Sequence, residues 1–189
     1  AARAAAAAPD ARVRVIDVPG HARLRDVLRA AVPACAAVVF VIDALDVKQQ
    51  VRDGAPILYD LLVDKTLRRR RVPLLIVCAK SDIITAAEPE AVEHALATEL
   101  ERLRSTRQSV SAHVGSTAGD DDVGGGASSG GGDADDALGD PNAAVDLHAL
   151  DNPVAFAATS AKDGDVDAVY SFIANAFKLA RVTADADDA

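Results

Sequence analysis

The sequence predicts an α/β protein built on a doubly wound, mostly parallel sheet. Two observations carry that prediction. Short apolar runs alternate with longer amphipathic segments, and two of the runs, Ala36 to Ile42 and Val72 to Cys78, are apolar almost throughout where a half-exposed strand would alternate. Strands covered by helices on both faces have that pattern, and helices on both faces are what parallel crossover connections produce. With 189 residues, 50% of them hydrophobic but only 3% aromatic, the chain suits one domain whose core comes from Val, Leu and Ile.

Four runs bounded by turn or charged residues are expected as buried strands: Arg12 to Asp17, Ala36 to Asp43, Val72 to Ala79 and Val154 to Ser160. Helical patterns lie between and after them. His21 to Val32 places Leu24, Val27, Leu28, Ala31 and Val32 on one face. Glu88 to Arg107 sets Val92, Leu96, Leu100 and Leu103 at helical spacing and opens with Pro89 between Glu88 and Glu90, a favourable first turn. Val166 to Arg181 gathers Val169, Phe172, Ile173, Ala176 and Phe177 on its inner face. A further helix is required between the second and third strands, giving strand, helix, strand, helix, strand, helix, insertion, strand, helix.

The formal charge of −9 is unevenly placed. Between Gln108 and Ala161 there are nine Asp and neither Lys nor Arg, together with nine of the 12 glycines. Such composition buries too little apolar surface to offset its ordering entropy, so 109–152 is expected to be a flexible acidic insertion, a solvated loop more than a docking site. It interrupts a domain spanning 12–181, flanked by an Ala-rich tail at 1–11 and an acidic tail at 182–189. No stretch has the roughly 18 to 20 consecutive apolar residues of a membrane span. Cys35 and Cys78 lie far apart beside apolar runs, without a second Cys or His at ligand spacing, and are expected to be reduced, buried small hydrophobes.

In a doubly wound sheet, ligands bind at the carboxyl ends of the strands. Three of the four expected ends carry a set of polar residues: Asp17-Val18-Pro19-Gly20-His21, Ala79-Lys80-Ser81-Asp82 and Ser160-Ala161-Lys162. An aspartate ending a buried strand suits Mg²⁺ held largely through water. A carboxylate such as Asp82 offers two acceptors to the N1–H and exocyclic amine of guanine, which adenine does not match. Taken singly, Pro19-Gly20 is also an ordinary turn and Asp82 an ordinary loop acid.

Together, ordered and placed at strand ends, D-x-P-G-H, x-K-x-D and S-A-K resemble the third, fourth and fifth nucleotide-binding motifs of the Ras-like GTPases, whose fold is a P-loop α/β domain. That resemblance implies GTP and Mg²⁺ as ligands. Asp17 would hold the metal through water, and Gly20 would approach the terminal phosphate. His21 would orient the attacking water as the catalytic residue. Lys80 would lie along the base, Asp82 would select guanine, and the Ala161 N–H between Ser160 and Lys162 would meet the guanine oxygen.

Within that superfamily the chain is most similar to the signal recognition particle receptor β subunits. The resemblance rests on Asp17 to His21 followed by Leu24-Arg25, on Val38 to Ala44, on Ile57 to Asp64, and on Glu99 to Arg107, a helix ending L-R-x-T-R before a long insertion. It covers about 12 to 107 and 153 to 181. It implies a GTPase at the cytosolic face of the endoplasmic reticulum membrane that holds the receptor α subunit, and through it serves the signal recognition particle and the ribosome. The three motifs are shared with Arf and Sar traffic GTPases, the alternative reading, and a nucleotide-free scaffold is a third.

The sequence departs from the superfamily in three respects. No Gly-Lys pair occurs, and only eleven residues precede the first run. The first strand, the G-x-x-x-x-G-K-[ST] loop and the first switch are therefore expected to be missing, as from a truncated product or incomplete gene model, leaving GTP bound weakly or not at all by this chain alone. The absent strand would be central in the superfamily's sheet, between the first and second runs found here. Ala79 stands where the N-K-x-D motif has Asn, which predicts a loss of about 1 kcal/mol in guanine binding. The family's membrane helix is not visible either, so a membrane location and its anchoring segment are inherited from the resemblance. Elsewhere, Arg68 to Arg71 is expected to be a solvated basic run, with anionic lipid or ribosomal RNA as the alternative. His94, His113 and His148 form no metal set or triad.

Overall fold

Three of the four expected runs pair as strands. The computed structural model describes residues 13–20, 25–115 and 138–187. In chain order these form α1 (Arg25–Ala31), β1 (Val38–Asp43), α2 (Val47–Leu62), α3 (Lys65–Arg69), β2 (Leu74–Ala79), α4 (Pro89–Gly115), β3 (Val154–Thr159) and α5 (Asp167–Asp187). The strands lie in the order β1-β2-β3 and are parallel. Val38, Leu74 and Val154 stand in line at one end of the sheet, and Asp43, Ala79 and Thr159 at the other. Prolines fix the starts of β2 and β3: Pro73 and Pro153 have no N–H to lose from a ladder, and their carbonyls accept from Val38 and Leu74.

The residues of β2 from Leu74 to Cys78 are all buried, as a helix-covered strand requires. On one face Ile42, Ile76 and Cys78 pack with Val51, Ala55, Leu58, Tyr59 and Leu62 of α2 and with Val92, Leu96 and Leu100 of α4. Gly54 allows α2 to lie close on the sheet, since a Cβ there would stand 3.1 Å from the Phe40 ring. On the other face Leu75 and Val77 are buried too, and α5 packs against β2 and β3. The expected doubly wound architecture is therefore present. Between β1 and β2 the chain makes two helices. The Asp46 carboxylate caps α2 through the Gln49 N–H and Asp64 caps α3 through the Thr66 and Leu67 N–H groups. Pro56 within α2 blurs its signature in the sequence.

The first expected strand does not form. Arg12 lies outside the described residues, and Val13 to Pro19 are irregular, with Val15 77% exposed. A strand is a pairing, and among the described residues none offers this run a ladder. Instead it lines, together with β1, Leu28 of α1, Ile57 of α2 and Ile173 and Phe177 of α5, a cleft of about 700 Å³. That cleft explains two further differences. Val41 on β1 is 61% exposed, and of the five residues expected on the inner face of α5 only Ala176 is fully buried. Cys35 lines the same cleft and is half-buried, whereas Cys78 is fully buried as expected; both are free thiols.

Both ends of the insertion expected over 109–152 belong to the folded structure, while 116–137 lies outside the described residues. At its start α4 continues to Gly115, and at its end Leu138, Val145 and Leu147 sit in the main core. Buried Arg104, 3% exposed, holds the returning chain: its guanidinium donates to the carbonyls of Leu138, Asp140 and Ala143 and pairs with Glu101. Glu101 in turn accepts from the Val145 N–H. Asn152 is buried as well, donating to the carbonyls of Leu67 and Val72. Gly-, Ser- and Asp-rich composition conceals this because the few anchoring apolar residues are diluted among polar ones. His148, which falls in this stretch, pairs with Glu93 at 2.9 Å and meets the Phe156 ring edge-on.

The L-R-x-T-R segment, expected to end its helix, lies within α4, which runs on to Gly115, and it has a structural meaning. Leu103 packs on the core, Arg104 clasps the returning segment, and Arg107 reaches Asp60 while lying over the Tyr59 ring. The basic run at Arg68 to Arg71 is partly engaged inside the molecule, with Arg68 on Asp151 and Arg70 on the Pro33 carbonyl.

Replacing Arg104 by Leu removes the guanidinium donor from three carbonyls and the cation from Glu101, and should cost about 3 kcal/mol in denaturant unfolding; a loss under 0.5 kcal/mol would show that the clasp is dispensable. Burial pushes the Cys78 thiol up to about 11, with Glu90 and Glu88 adding to the effect. Its contribution to stability is therefore complete below the unfolded thiol's ordinary range near pH 8.5 and is lost as pH rises through 11. Native chain at pH 8 should be alkylated by iodoacetamide at Cys35 before Cys78, and peptide mass mapping reads the order.

Candidate functional site

Equal strand lengths in one register bring the ends of β1, β2 and β3 to one level, so the loops that leave them become neighbours. The Ala44 N–H donates to the Ala79 carbonyl, the Ser81 N–H to that of Thr159, and the Ala87 N–H to that of Ala44. These bonds stitch the three exits together. After β3 the chain turns back on itself: Ser160 and Asp165 exchange two backbone hydrogen bonds, Asp163 donates to the Ser160 hydroxyl, and Gly164 takes a φ of +75° that suits a residue without a Cβ.

Within this frame the second and third motifs meet. The Ser160 hydroxyl donates to one oxygen of Asp82 at 3.0 Å and the Lys162 ammonium to the other at 3.2 Å. The Asp82 side chain is only 7% exposed. Lys162 and then Ser160 hold its carboxyl below the ordinary carboxylate range, and Asp82 raises the Lys162 ammonium above its own. Asp82 is therefore an oriented anion with lone pairs to spare, since each carboxylate oxygen accepts more than one bond. Among the described residues no acceptor takes the Ala161 N–H. A carboxylate beside a free backbone donor suits the amide edge of a guanine, which offers two donors and a carbonyl.

Lys80 lies beside this group, in the left-handed region at φ +68°, which costs a residue with a Cβ about 1 kcal/mol or more. Its ammonium is bound to Asp43, the last residue of β1, at 2.5 Å. Asp43 is itself fixed through the Leu45 N–H, and these two contacts, Lys80 first, keep its carboxyl below the usual range. Sequence reasoning did not single out Asp43. The available signal was its place at the end of an apolar run, but it heads no motif.

The first motif stands apart. Asp17, Pro19 and Gly20 are exposed and line the cleft beside β1, while His21 lies outside the described residues. No hydrogen bond or ion pair joins Asp17 or Gly20 to Lys80, Asp82 or Ser160 among the described residues. A Cβ on Gly20 would meet nothing within 4 Å, so this conformation does not form a close cradle there. Nor do the described residues contain a cluster of three metal-ligating side chains. The Asp82 group has the donors and acceptors that a guanine edge would need; the Asp17 region does not by itself build a phosphate or magnesium site. No helix among the described residues is long and apolar enough to cross a membrane.

Comparison with known proteins identifies the family. The model of the signal recognition particle receptor beta subunit family matches residues 1–150. The chain is 35% identical over 105 residues to the signal recognition particle receptor subunit beta of Mus musculus and 27% identical over 112 residues to that of Dictyostelium discoideum, covering 55% and 59% of this chain. It spans 39% of the length of each of these two relatives. Among solved structures it superposes on the mammalian receptor with a TM-score of 0.64 at 28% identity, over 84% of this chain and 71% of that one. The GDP form of the receptor from Chaetomium thermophilum shares the fold with a TM-score of 0.59 at 21% identity, over 84% of this chain and 76% of that one. The chain belongs to the signal recognition particle receptor beta subunit family.

Proposed function

We propose that this chain carries the base-reading end of a guanine nucleotide site, in a receptor β subunit that binds GTP with Mg²⁺. The observation that carries the proposal is the Asp82 carboxylate, buried, ionised and aimed by Ser160 and Lys162. In this reading Asp82 accepts from the guanine N1–H and amine, the Ala161 N–H meets the guanine oxygen, and the Lys80 stem lies along the base. Asp17 would hold Mg²⁺ through water, Gly20 would face the terminal phosphate, and His21 would orient water. When bound, the metal would neutralise phosphate charge. The sequence contains no G-x-x-x-x-G-K-[ST] loop, so the β and γ phosphates find no amide-and-lysine cradle in these residues.

Family membership supports the rest. The bound nucleotide would hold the receptor α subunit, and through it the signal recognition particle and the ribosome, at the cytosolic face of the endoplasmic reticulum. The matched relatives are receptor β subunits, which favours this over an Arf- or Sar-like traffic role.

The test uses GMP and AMP, which carry a base and a ribose but make no demand on a β or γ phosphate site. In ligand-observed NMR the 189-residue chain should bind GMP at roughly millimolar affinity and prefer it to AMP. D82A should abolish the preference. Equal binding of the two nucleotides by the unaltered chain would defeat the guanine reading.

A further inference from the structure

Asp43 is used by none of the roles above, yet its carboxylate is placed with more care than a surface acid requires. It closes β1 opposite Ala79 of β2, so that Lys80, the next residue, leaves the sheet directly beside it. One oxygen accepts from the Leu45 N–H at 3.0 Å and the other from the Lys80 ammonium. Lys80 is meanwhile held in a backbone conformation that a lysine adopts only when its surroundings impose it. An ammonium released from Asp43 would be free to swing about four rotatable bonds and would cost rotamer entropy to order again when a ligand arrived.

We propose that Asp43 is a positioning residue of the nucleotide site, acting through Lys80. By tethering the ammonium on the β1 side, it presents the alkyl stem of Lys80 as a preformed ledge for a purine face and keeps the lysine's charge away from Asp82. Asp82 is then left to Ser160, to the end of Lys162, which is 79% exposed, and to the base itself. Two carboxylates and two lysines thus sort into fixed pairs, Asp43 with Lys80 and Asp82 with Lys162, with only the second pair opened by a ligand. This inference rests on the guanine reading, and its test separates the two.

Reductive methylation with a ¹³C label keeps each lysine charged and gives every one of the five lysines its own NMR signal. In the nucleotide-free chain, D43A should move the Lys80 signal and leave that of Lys162 in place, while D43N, whose amide oxygen still accepts a hydrogen bond, should move it less. In GMP titrations of unlabelled chain, D43A should weaken binding about threefold, the scale of a half-exposed ion pair. It should have no further effect in a K80M background. A Lys80 signal unmoved by D43A, or losses from D43A and K80M that simply add, would overturn the proposal. An unaltered chain that fails to prefer GMP to AMP removes the guanine reading and the positioning role with it; a Lys80 signal that still moves in D43A then shows that the tether was not the fault.

Discussion

Parallel pairing in a single register is the constraint on which the rest of this molecule depends. Each of the three strands has six residues, and the ladders set them level, so the polar residues that follow them emerge at one edge. Had β3 slipped by two residues against β2, its inward face would be unchanged, but Ser160 would no longer stand within reach of Asp82. The prolines before β2 and β3 and the carbonyls they contribute to the ladders work against such a slip. Side chains separated by about eighty residues of sequence are therefore brought together by the backbone hydrogen bonding of the sheet.

That dependence explains what the sequence disclosed. Val72 to Cys78 is unambiguous because a strand buried on both faces needs apolar residues at every position, and Leu96 and Leu100 are unambiguous because a helix of 27 residues repeats its signal. The proximity of Asp82 to Ser160 and Lys162 was legible as soon as their strands were, since parallel strands in one register bring their ends together. The Arg12 to Asp17 run misleads for the converse reason. Its apolar residues are typical of a strand, but pairing is a property of neighbours, and composition cannot show that none of the described residues offers it a ladder.

Two other features escaped because their causes are not local. Segment 138–152 has the composition of a solvated loop, and it is ordered by a handful of contacts, above all the Arg104 guanidinium, which lies about forty residues earlier in the chain. Asp43 looks like a residue that merely ends a strand until Lys80 is seen against it. In both cases a charged side chain selects its partner in space, and no periodicity records the choice.

The Arg104 clasp also bears on how the molecule would respond to a protease. Residues 138–145 are fastened to α4 independently of the covalent path through 116–137. A single cut in that interval would divide the chain into one fragment with β1 and β2 and another with β3 and α5, yet the fragments would remain joined by the β2–β3 ladder, the clasp and the Asn152 bonds to Leu67 and Val72. Asp82 and Ser160 would then belong to different polypeptides while still touching. The two halves of the candidate site are thus linked by the folded scaffold and not by the covalent path between them, so a change of length or charge within 116–137 need not disturb the contact between the carboxylate and its serine.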